Sequence, residues 1–327
     1  MIKFSIIMPV YNASSTIKRS IESIINQKYK NWELVIVDDG STDDSLIIVN
    51  EYQKKYKNIK VIKQENSGPG VARNNGIEKS SGDFIAFLDS DDYYEECFLS
   101  EVENKITKED LDLVYINIFE ETYKGKIYKS VDLSKYKNTS KEELIKFQIS
   151  GTMPWGPSVK VIKKEILNEC YFLNLQVGEE LLLSFDVLNK SNRYGFINKE
   201  LYHYVHNNEG QHKKGGLDPW WEVTNCIKNH LKKLNIFNTY EDAVSCLAAR
   251  AFTISAYRCS CNCKYFDAIK KIKEQLKKYR KEYNFDKIKN NYIDKKTRVV
   301  LILSKIHLYP LIVAISKIKN KFSNKGW

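Results

Sequence analysis

Between residues 4 and 88 the chain alternates short apolar runs with segments of helical period, and this rhythm narrows the possible folds more than any other feature. Phe4-Ser5-Ile6-Ile7-Met8 is an apolar run that stops at Pro9. Behind Ser14-Ser15-Thr16, residues suited to capping a helix, Ile17, Ile21, Ile24 and Ile25 recur at the spacing of one helix face. Glu33-Leu34-Val35-Ile36-Val37 repeats the strand signal, and Asp38-Asp39-Gly40-Ser41 carries turn chemistry. Ser45 to Tyr56 then reads as a second helix and Ile59-Lys60-Val61-Ile62 as a third strand. A Gly-Pro-Gly loop at 68–70 leads into a helix through Ala72 and Ile77, and Asp83-Phe84-Ile85-Ala86-Phe87-Leu88 is apolar enough for the middle of a parallel sheet. The βαβαβαβ order predicts an open α/β sheet with helices on both faces, a fold that gathers ligands at the carboxyl ends of its strands.

From about Leu111 the rhythm changes. Leu113-Val114-Tyr115-Ile116 reads as a strand, Lys124-Gly125-Lys126 as a hairpin turn, and Ser140 with Glu143 as a capping box. Beyond Pro219 the pattern is helical, including an amphipathic segment from Tyr265 to Tyr279 with Phe266, Ile269, Ile272 and Leu276 as its apolar positions. Near the C-terminus, Val299 to Leu303 and Ile306 to Ile315 are apolar but interrupted by Lys305 and Pro310 and followed by Lys317, Lys319 and Lys321. A spanning helix needs about 20 uninterrupted apolar residues. The segment therefore reads as a basic amphipathic helix for an anionic lipid surface or as a core helix with a solvated lysine face.

At 327 residues, with 43% hydrophobic and 28% charged side chains, the chain is long enough for a large domain plus a smaller one and excludes a polytopic membrane protein or a disordered chain. Its charge of +11, from 52 Lys+Arg against 41 Asp+Glu, suits an anionic partner or a solvated basic face, and no nucleic-acid motif accompanies it. Met1-Ile2-Lys3 runs directly into the first strand without a signal-peptide pattern, and seven cysteines without framework spacing fit reduced thiols, so a cytoplasmic setting is expected. Cys259-Ser260-Cys261-Asn262-Cys263 lacks the spacing of common zinc sites and reads as helical thiols.

Three strand ends carry candidate chemistry. Asp89-Ser90-Asp91-Asp92 follows the most apolar strand, and hard divalent cations such as Mg²⁺ or Mn²⁺ favour carboxylates that leave room for phosphate oxygens, although such triplets also form ordinary surface turns. Asp38-Asp39-Gly40-Ser41-Thr42-Asp43 places carboxylates at an equivalent end, where one can accept a pyrimidine imide N–H; the bland alternative is a turn with Thr42 or Asp43 as helix cap. Asn66-Ser67-Gly68-Pro69-Gly70-Val71-Ala72-Arg73-Asn74 offers loop N–H groups and an arginine able to clamp a diphosphate at a helix start.

Pro9-Val10-Tyr11-Asn12, Asp38 to Asp43, Gly70 to Asn74 and Phe87-Leu88-Asp89-Ser90-Asp91-Asp92, in this order and spacing, resemble family 2 glycosyltransferases of the GT-A fold over roughly the first hundred residues. The resemblance implies a Rossmann-like, mostly parallel sheet with flanking helices, followed by a helical C-terminal region. It implies a catalytic domain over 1–215, divided into nucleotide-sugar binding at 1–110 and an acceptor side at 111–215, with the helical region at 216–327. On the donor side, Pro9, Tyr11, Asn12, Asp38, Asp39, Gly68, Arg73, Asp89 and Ser90 would contact a UDP-sugar, with Tyr11 near the uracil, Asp39 hydrogen-bonded to it and Arg73 at the pyrophosphate or base. Asp91, helped by Asp89, would bind the Mn²⁺ or Mg²⁺.

The family's inverting members use a carboxylate as general base, usually the Asp of a Glu-Asp pair opening a helix. Gly178-Glu179-Glu180-Leu181-Leu182 resembles that segment but has Glu180 where Asp is usual, so Glu180 is expected as the base, with Glu179 second; acidic residues at a helix start also interact favourably with its dipole. Trp155 resembles the acceptor-side aromatic, or packs in the core. His203, His206 and His212 follow in a region where relatives place a residue near the diphosphate or metal, and structural duty is the simpler expectation for each. The implied activity is transfer of one sugar from UDP-Gal, UDP-GlcNAc, UDP-Glc or UDP-GalNAc to a lipid-linked or saccharide acceptor in capsule, exopolysaccharide or other surface glycan synthesis, with peripheral contact at the inner membrane face. The alternatives are a sugar nucleotidylyltransferase, which usually opens with a Gly-rich, Lys-containing loop unlike Pro9-Val10-Tyr11-Asn12, and a non-enzymatic basic membrane-binding module. Nothing in the sequence sets an oligomeric state.

Overall fold

The computed structural model describes residues 1–175, 177–206 and 218–323, with side chains as far as 320. It divides into two compact units: one built from residues up to Lys141, Trp155–Asn174 and the stretch from Leu182 to the end of the last strand; the other from 142–154, a short stretch around Gly178, and the later helices.

The first unit holds every strand in one sheet. In chain order its elements begin β1 (Phe4–Val10), α1 (Ile17–Ile25), β2 (Trp32–Asp38), α2 (Ser45–Lys55), β3 (Ile59–Lys63), α3 (Pro69–Lys79) and β4 (Phe84–Phe87). They continue with β5 (Tyr93–Tyr94), α4 (Phe98–Glu109), β6 (Leu113–Thr122) and β7 (Ile127–Val131). Helix α5 (Lys141–Ile149), mostly in the second unit, precedes β8 (Lys160–Lys163), α6 (Lys164–Leu167), α7 (Glu180–Lys190) and β9 (Tyr194–His206).

The sheet order is β3-β2-β1-β4-β8-β6-β9-β5, with β7 on β6. The first four strands are parallel, as their unbroken apolar runs predict, and β1 and β2 are buried along their whole length. Beyond β4 the sheet is mixed: β8 is antiparallel to β4 and β6, and β9 runs parallel to β6.

Pro9 lies inside central β1, a position that normally excludes proline because the ring removes a ladder donor. The last β1–β4 pair is Ile7 with Phe87, so β4 has already ended where the missing N–H would point. On α3, Gly76 permits a close approach to the sheet, since a Cβ there would lie 2.4 Å from the Ile7 side chain. Thr16 stands at the N-cap of α1 without a capping bond; its hydroxyl turns back to the Ala13 carbonyl at 3.3 Å.

At the amino ends of the parallel strands Glu33 is buried. It accepts from the Ser5 hydroxyl at 2.6 Å, the Lys60 ammonium at 2.8 Å, and the Ser81 backbone N–H and hydroxyl. Burial alone would raise its pKa, but these donors outweigh it and hold the carboxyl down at about 2.

The second unit is helical. Helix α8 (Trp220–Lys233) is followed by α9 (Phe237–Asn262), α10 (Tyr265–Glu282), α11 (Lys295–Lys305) and α12 (Tyr309–Ser323). The long α9 is the hub, with α8, α10, α11 and α12 all packed on it. Cys246, Tyr292 and Ile293 form a buried cluster with Phe147, Ile288 and Leu301 around it, and the Tyr292 hydroxyl donates to Glu143 at 2.7 Å.

The buried face of α10 is Ala268, Ile272, Leu276 and Tyr279, rotated from the expected stripe, and Phe266 is 81% exposed. Tyr279 explains the rotation, because its hydroxyl finds Asp218 at 2.7 Å and the large ring can therefore be buried. Cys259 and Cys261 lie on α9 with Cys263 at its C-cap, and the cysteines are free.

Candidate active site

The carboxyl ends of β1, β2 and β4 converge on one acidic surface of the first unit. At the end of β1, Tyr11 is 48% exposed and Asn12 adopts φ +50°, a left-handed conformation that asparagine tolerates better than most residues. The turn is locked to the next strand end: Asn12 N–H donates to the Ser41 hydroxyl at 3.1 Å, and the Asn12 side-chain oxygen accepts from Thr42 N–H at 2.8 Å. Asp43 accepts from Ser45 N–H at 2.9 Å and from Ser14 N–H at 3.0 Å, so it fastens the start of α2 to the approach to α1. Although burial opposes ionisation, these donors hold its carboxyl at about 2.

Asp38 and Asp39 are buried at the end of β2 and differ in their partners. Asp39 grips the loop before α3: one oxygen accepts from Ser67 N–H and the Gln64 side chain, both at 2.8 Å, and the other from Gly68 N–H at 2.9 Å. The Gly68 φ of +91° makes that approach possible. A carboxylate has about four acceptor sites, so one remains for a ligand donor. Asp38 accepts from Ser41 N–H at 3.4 Å through one oxygen, and its other oxygen is buried with no hydrogen-bond partner among the described residues. An orphaned buried carboxylate oxygen is unfavourable unless a ligand or water completes it.

At the end of β4 the three aspartates have separate duties. Asp89 is half-exposed, and one oxygen accepts from the Arg73 guanidinium at 2.7 Å; Arg73 is itself buried on α3 and stands over the Phe172 ring at 5.4 Å. Asn74 fixes that ring's segment by exchanging two bonds with the Phe172 backbone, at 2.9 and 3.0 Å. Asp92 is wholly buried and accepts from the Tyr202 hydroxyl and, at 2.8 Å, from Val205 N–H, both on β9. Burial first, then the charges of Asp89 and Asp91, push the Asp92 carboxyl well above the usual range against the pull of those two donors. Three carboxylates within mutual electrostatic reach make a field that favours a cation, and Asp89 and Asp91 are the two not sealed in the core.

The main chain of the Asp89–Asp92 turn is also held. The Ser20 hydroxyl lies 2.9 Å from the Ser90 carbonyl and 2.7 Å from that of Asp92, and Arg19 donates to the Asp91 carbonyl while its guanidinium covers the Tyr93 ring at 4.8 Å. Sequence reasoning missed Arg19, Ser20 and Tyr202. Ser20 left a trace, since it lies on the buried α1 face with Ile17, Ile21 and Ile24, where a polar residue requires a partner.

His203 is buried on β9, stacked on Tyr93 with centroids 4.2 Å apart, and its ring nitrogens meet Glu95 at 2.8 Å and Glu121 at 3.3 Å. It ties β5 to β9 behind the aspartate turn. His206 faces Glu120 at 3.4 Å, and His212 lies outside the described residues. The backbone at Trp155 is pinned by buried Lys160, which donates to the Trp155 and Gly156 carbonyls at 2.8 and 2.9 Å, and by the Ser184 hydroxyl at 2.7 Å.

Glu179 and Glu180 belong to the second unit by contact and are half-buried, with Glu180 the first residue of α7. The turn before them depends on Gly178: its φ is +70°, and a Cβ would press within about 3 Å of Val223 and Trp220.

The fold matches known proteins. A crystal structure of Staphylococcus aureus TarS 1–349 in complex with UDP-GlcNAc superposes with a TM-score of 0.61 over 86% of this chain and 92% of that one, at 22% identity, which establishes the GT-A-like fold. Glycosyltransferase GlyA of Streptococcus pneumoniae is 31% identical over 67% of this chain and 32% of its own length. The poly(ribitol-phosphate) beta-N-acetylglucosaminyltransferase TarS of S. aureus is 29% identical over 75% of this chain and 43% of its length. The chain thus spans about a third to two fifths of these two relatives. The family model described as Glycosyl transferase family 2 matches residues 5–169, half of the chain and all of the strand ends described above, and the protein belongs to that family.

Proposed function

We propose that the protein is an inverting glycosyltransferase that moves one hexose or N-acetylhexosamine from a UDP-sugar to a saccharide or lipid-linked acceptor during bacterial surface-glycan synthesis. The observation that carries this reading is the Asp89–Asp92 turn: one carboxylate sealed in the core as an anchor, and two left outside it beside a single buried arginine.

Asp91 and Asp89 would hold a Mn²⁺ or Mg²⁺, which when bound neutralises charge on the leaving diphosphate. One Asp89 oxygen accepts from Arg73, both Asp89 and Asp91 lie outside the sealed core, and cations of this kind complete their shells with phosphate oxygens and water, so the donor set fits. Arg73, fixed by Asp89 and Phe172, presents its charge to the pyrophosphate. Tyr11 stacks on the uracil, and the remaining acceptor site of Asp39, with the orphaned oxygen of Asp38, receives donors of the base or ribose. Pro9, Asn12, Gly68 and Ser90 would contact the donor beside them. Glu180, or Glu179 as its neighbour, would take the proton of the acceptor hydroxyl, and Trp155 would offer a face to the acceptor sugar.

These roles assign donor binding to 1–110, the acceptor side to 111–215 and a supporting helical region to 216–327. The donor is argued from the relatives' names as well as from the site: TarS has been crystallised with UDP-GlcNAc, and GgaB of Bacillus subtilis, 32% identical over 72% of this chain, is a minor teichoic acid biosynthesis protein.

Incubation with UDP-Gal, UDP-Glc, UDP-GlcNAc and UDP-GalNAc, with Mn²⁺ or with EDTA, tests the reading by UDP release. One donor should be hydrolysed much faster than the rest, and only with metal present. Release from none of them overturns the UDP-sugar assignment, and undiminished release in EDTA overturns the metal.

A further inference from the structure

The outward faces of α11 and α12 are apolar where a water-facing helix surface is normally polar. On α11 and its C-cap, Val299, Ile302 and Ile306 recur at helical spacing and are 48–55% exposed, while Thr297 and Ser304 face inward. On α12, Leu311, Ile315 and Ile318 recur in the same way and are 45–58% exposed, while Tyr309, Ile312 and Val313 are buried. Both helices therefore point small polar or apolar residues into the unit and a second row of large aliphatic ones away from it. An inward apolar stripe alone would serve folding, and the outward row has no role in this unit's core.

Charge says what the row faces. Residues 295–320 contain Lys295, Lys296, Arg298, Lys305, Lys317 and Lys319 and no Asp or Glu. On a helical projection Lys295 heads the α11 row, Arg298 and Lys305 border one side of it and Lys296 the other, while Lys319 borders the α12 row and Lys317 lies farther round on its other side. Long cationic side chains beside an apolar ridge can bury their stems in a lipid interface and keep their charges at the headgroups. Lys296 and Lys319 come close enough that Lys296 holds the Lys319 ammonium below its ordinary range, with burial adding to the effect. This pair sets a cation of α11 beside one of α12, a repulsion that an anionic surface would relieve. A second copy of the chain seated on this row would set lysines against lysines. No described helix is long and apolar enough to cross a membrane.

We propose that α11 and α12 form an in-plane docking surface for an anionic bilayer, with Val299, Ile302, Ile306, Leu311, Ile315 and Ile318 as the inserted row and the flanking lysines and arginine at the headgroups. This surface is independent of the donor site: the protein would dock whether or not UDP-sugar is its substrate. Binding of this kind scales with buried apolar area and with charge, about 1 kcal/mol for each Lys or Arg at the surface.

The full chain is sedimented with phosphatidylcholine vesicles and with vesicles containing phosphatidylglycerol, and thermal unfolding and gel filtration are recorded for every variant. The protein should bind anionic vesicles more than about 100-fold better than zwitterionic ones, and the preference should shrink at high salt. I302E/I315E/I318E should lose vesicle binding while melting as wild type does. K305Q/K317Q/K319Q should weaken anionic binding by about 100-fold and leave the weak zwitterionic binding alone. Equal binding to both vesicle types, no binding to either, or unchanged binding by a folded triple Ile variant overturns the proposal. So does a wild-type dimer that the triple Ile variant dissociates without any vesicle binding, which would give the face to a second copy of the chain.

Discussion

The parallel strands carry carboxylates at both ends, and the two ends treat them differently. At the amino end Glu33 is buried under the sheet and surrounded by donors, with Ser5, Lys60 and Ser81 pulling its pKa down to about 2 despite desolvation. At the carboxyl end lie Asp38, Asp39, Asp89, Asp91 and Asp92; Asp89 is paired with the buried Arg73, an Asp38 oxygen has no partner among the described residues, and burial, then the charges of Asp89 and Asp91, drives Asp92 upward. A paired buried carboxylate favours the folded state, whereas an under-compensated group of them opposes it. Such an arrangement persists at the end of a sheet where a ligand brings positive charge and donors of its own. If the amino end supports stability and the carboxyl end the proposed function, substitutions at the two ends should separate those properties.

The largest effect expected is on activity, from Asp91→Asn. If Asp91 holds the metal, UDP release should fall on the order of 10³-fold, as when a principal electrostatic contact to a leaving group is removed. The melting temperature should stay within a few degrees of wild type, because Asp91 lies outside the sealed core and the change relieves its repulsion with buried Asp92. Loss of stability in step with activity would break the contrast between the two ends.

Glu33→Gln should do the reverse. Its folded pKa is depressed, so its contribution is fully present above the unfolded value of about 4.5 and disappears as the pH falls through about 2. Near pH 7 the variant should lose about 2–3 kcal/mol in urea unfolding, the gap should close toward pH 2, and activity per folded molecule should be unchanged.

The contrast also explains what could be read from the sequence. The first four strands were legible because strands buried on both faces are nearly continuous apolar runs, and the strand ends were legible because Asp, Gly and Asn clusters interrupt them. The antiparallel part was not. The two-residue β5 exists only through its pairing with β9, and Tyr202 and Val205 reach Asp92 across 110 and 113 residues of chain, so no local pattern announces either contact. The face of α10 was misread for a related reason: Phe266 and Tyr279 look equally apolar in a periodicity, and only the distant Asp218 decides which ring is buried. Local composition displayed the residues proposed to serve a ligand, while the residues that hold them in place are set by tertiary contacts.

Asp92 tests the boundary between the two behaviours, since it sits at the functional end with a structural duty. Asp92→Ala should leave the Tyr202 hydroxyl and Val205 N–H buried without their acceptor, at about 2 kcal/mol in stability, and should lower activity about 10-fold through a displaced Asp89–Asp91 turn. Asp92→Asn keeps an acceptor for Val205 N–H and a polar group against Tyr202, so it should recover most of both losses. An Asp92→Asn variant as impaired as Asp92→Ala would mean that the charge itself is required, moving Asp92 from the anchoring group to the cation-binding one.

The smallest effect belongs to the partner that looks strongest in the contact geometry. Lys60 approaches Glu33 at 2.8 Å, yet its side chain is 47% exposed while that of Glu33 is 4% exposed. Water can replace a half-exposed ammonium but cannot enter to replace the Ser5 hydroxyl, which is fully buried against the carboxylate. Lys60→Gln should therefore lower stability by only about 0.5 kcal/mol, less at high salt, and leave activity intact. Ser5→Ala removes one neutral hydroxyl but also leaves Gly82 N–H without its acceptor at 2.8 Å, and it should lower stability further than Lys60→Gln does. Urea unfolding of the two variants side by side decides the matter. If Lys60→Gln proves the more damaging, Glu33 is held by its charge partner, and the quiet amino end depends on the same long-range electrostatics as the acidic carboxyl end.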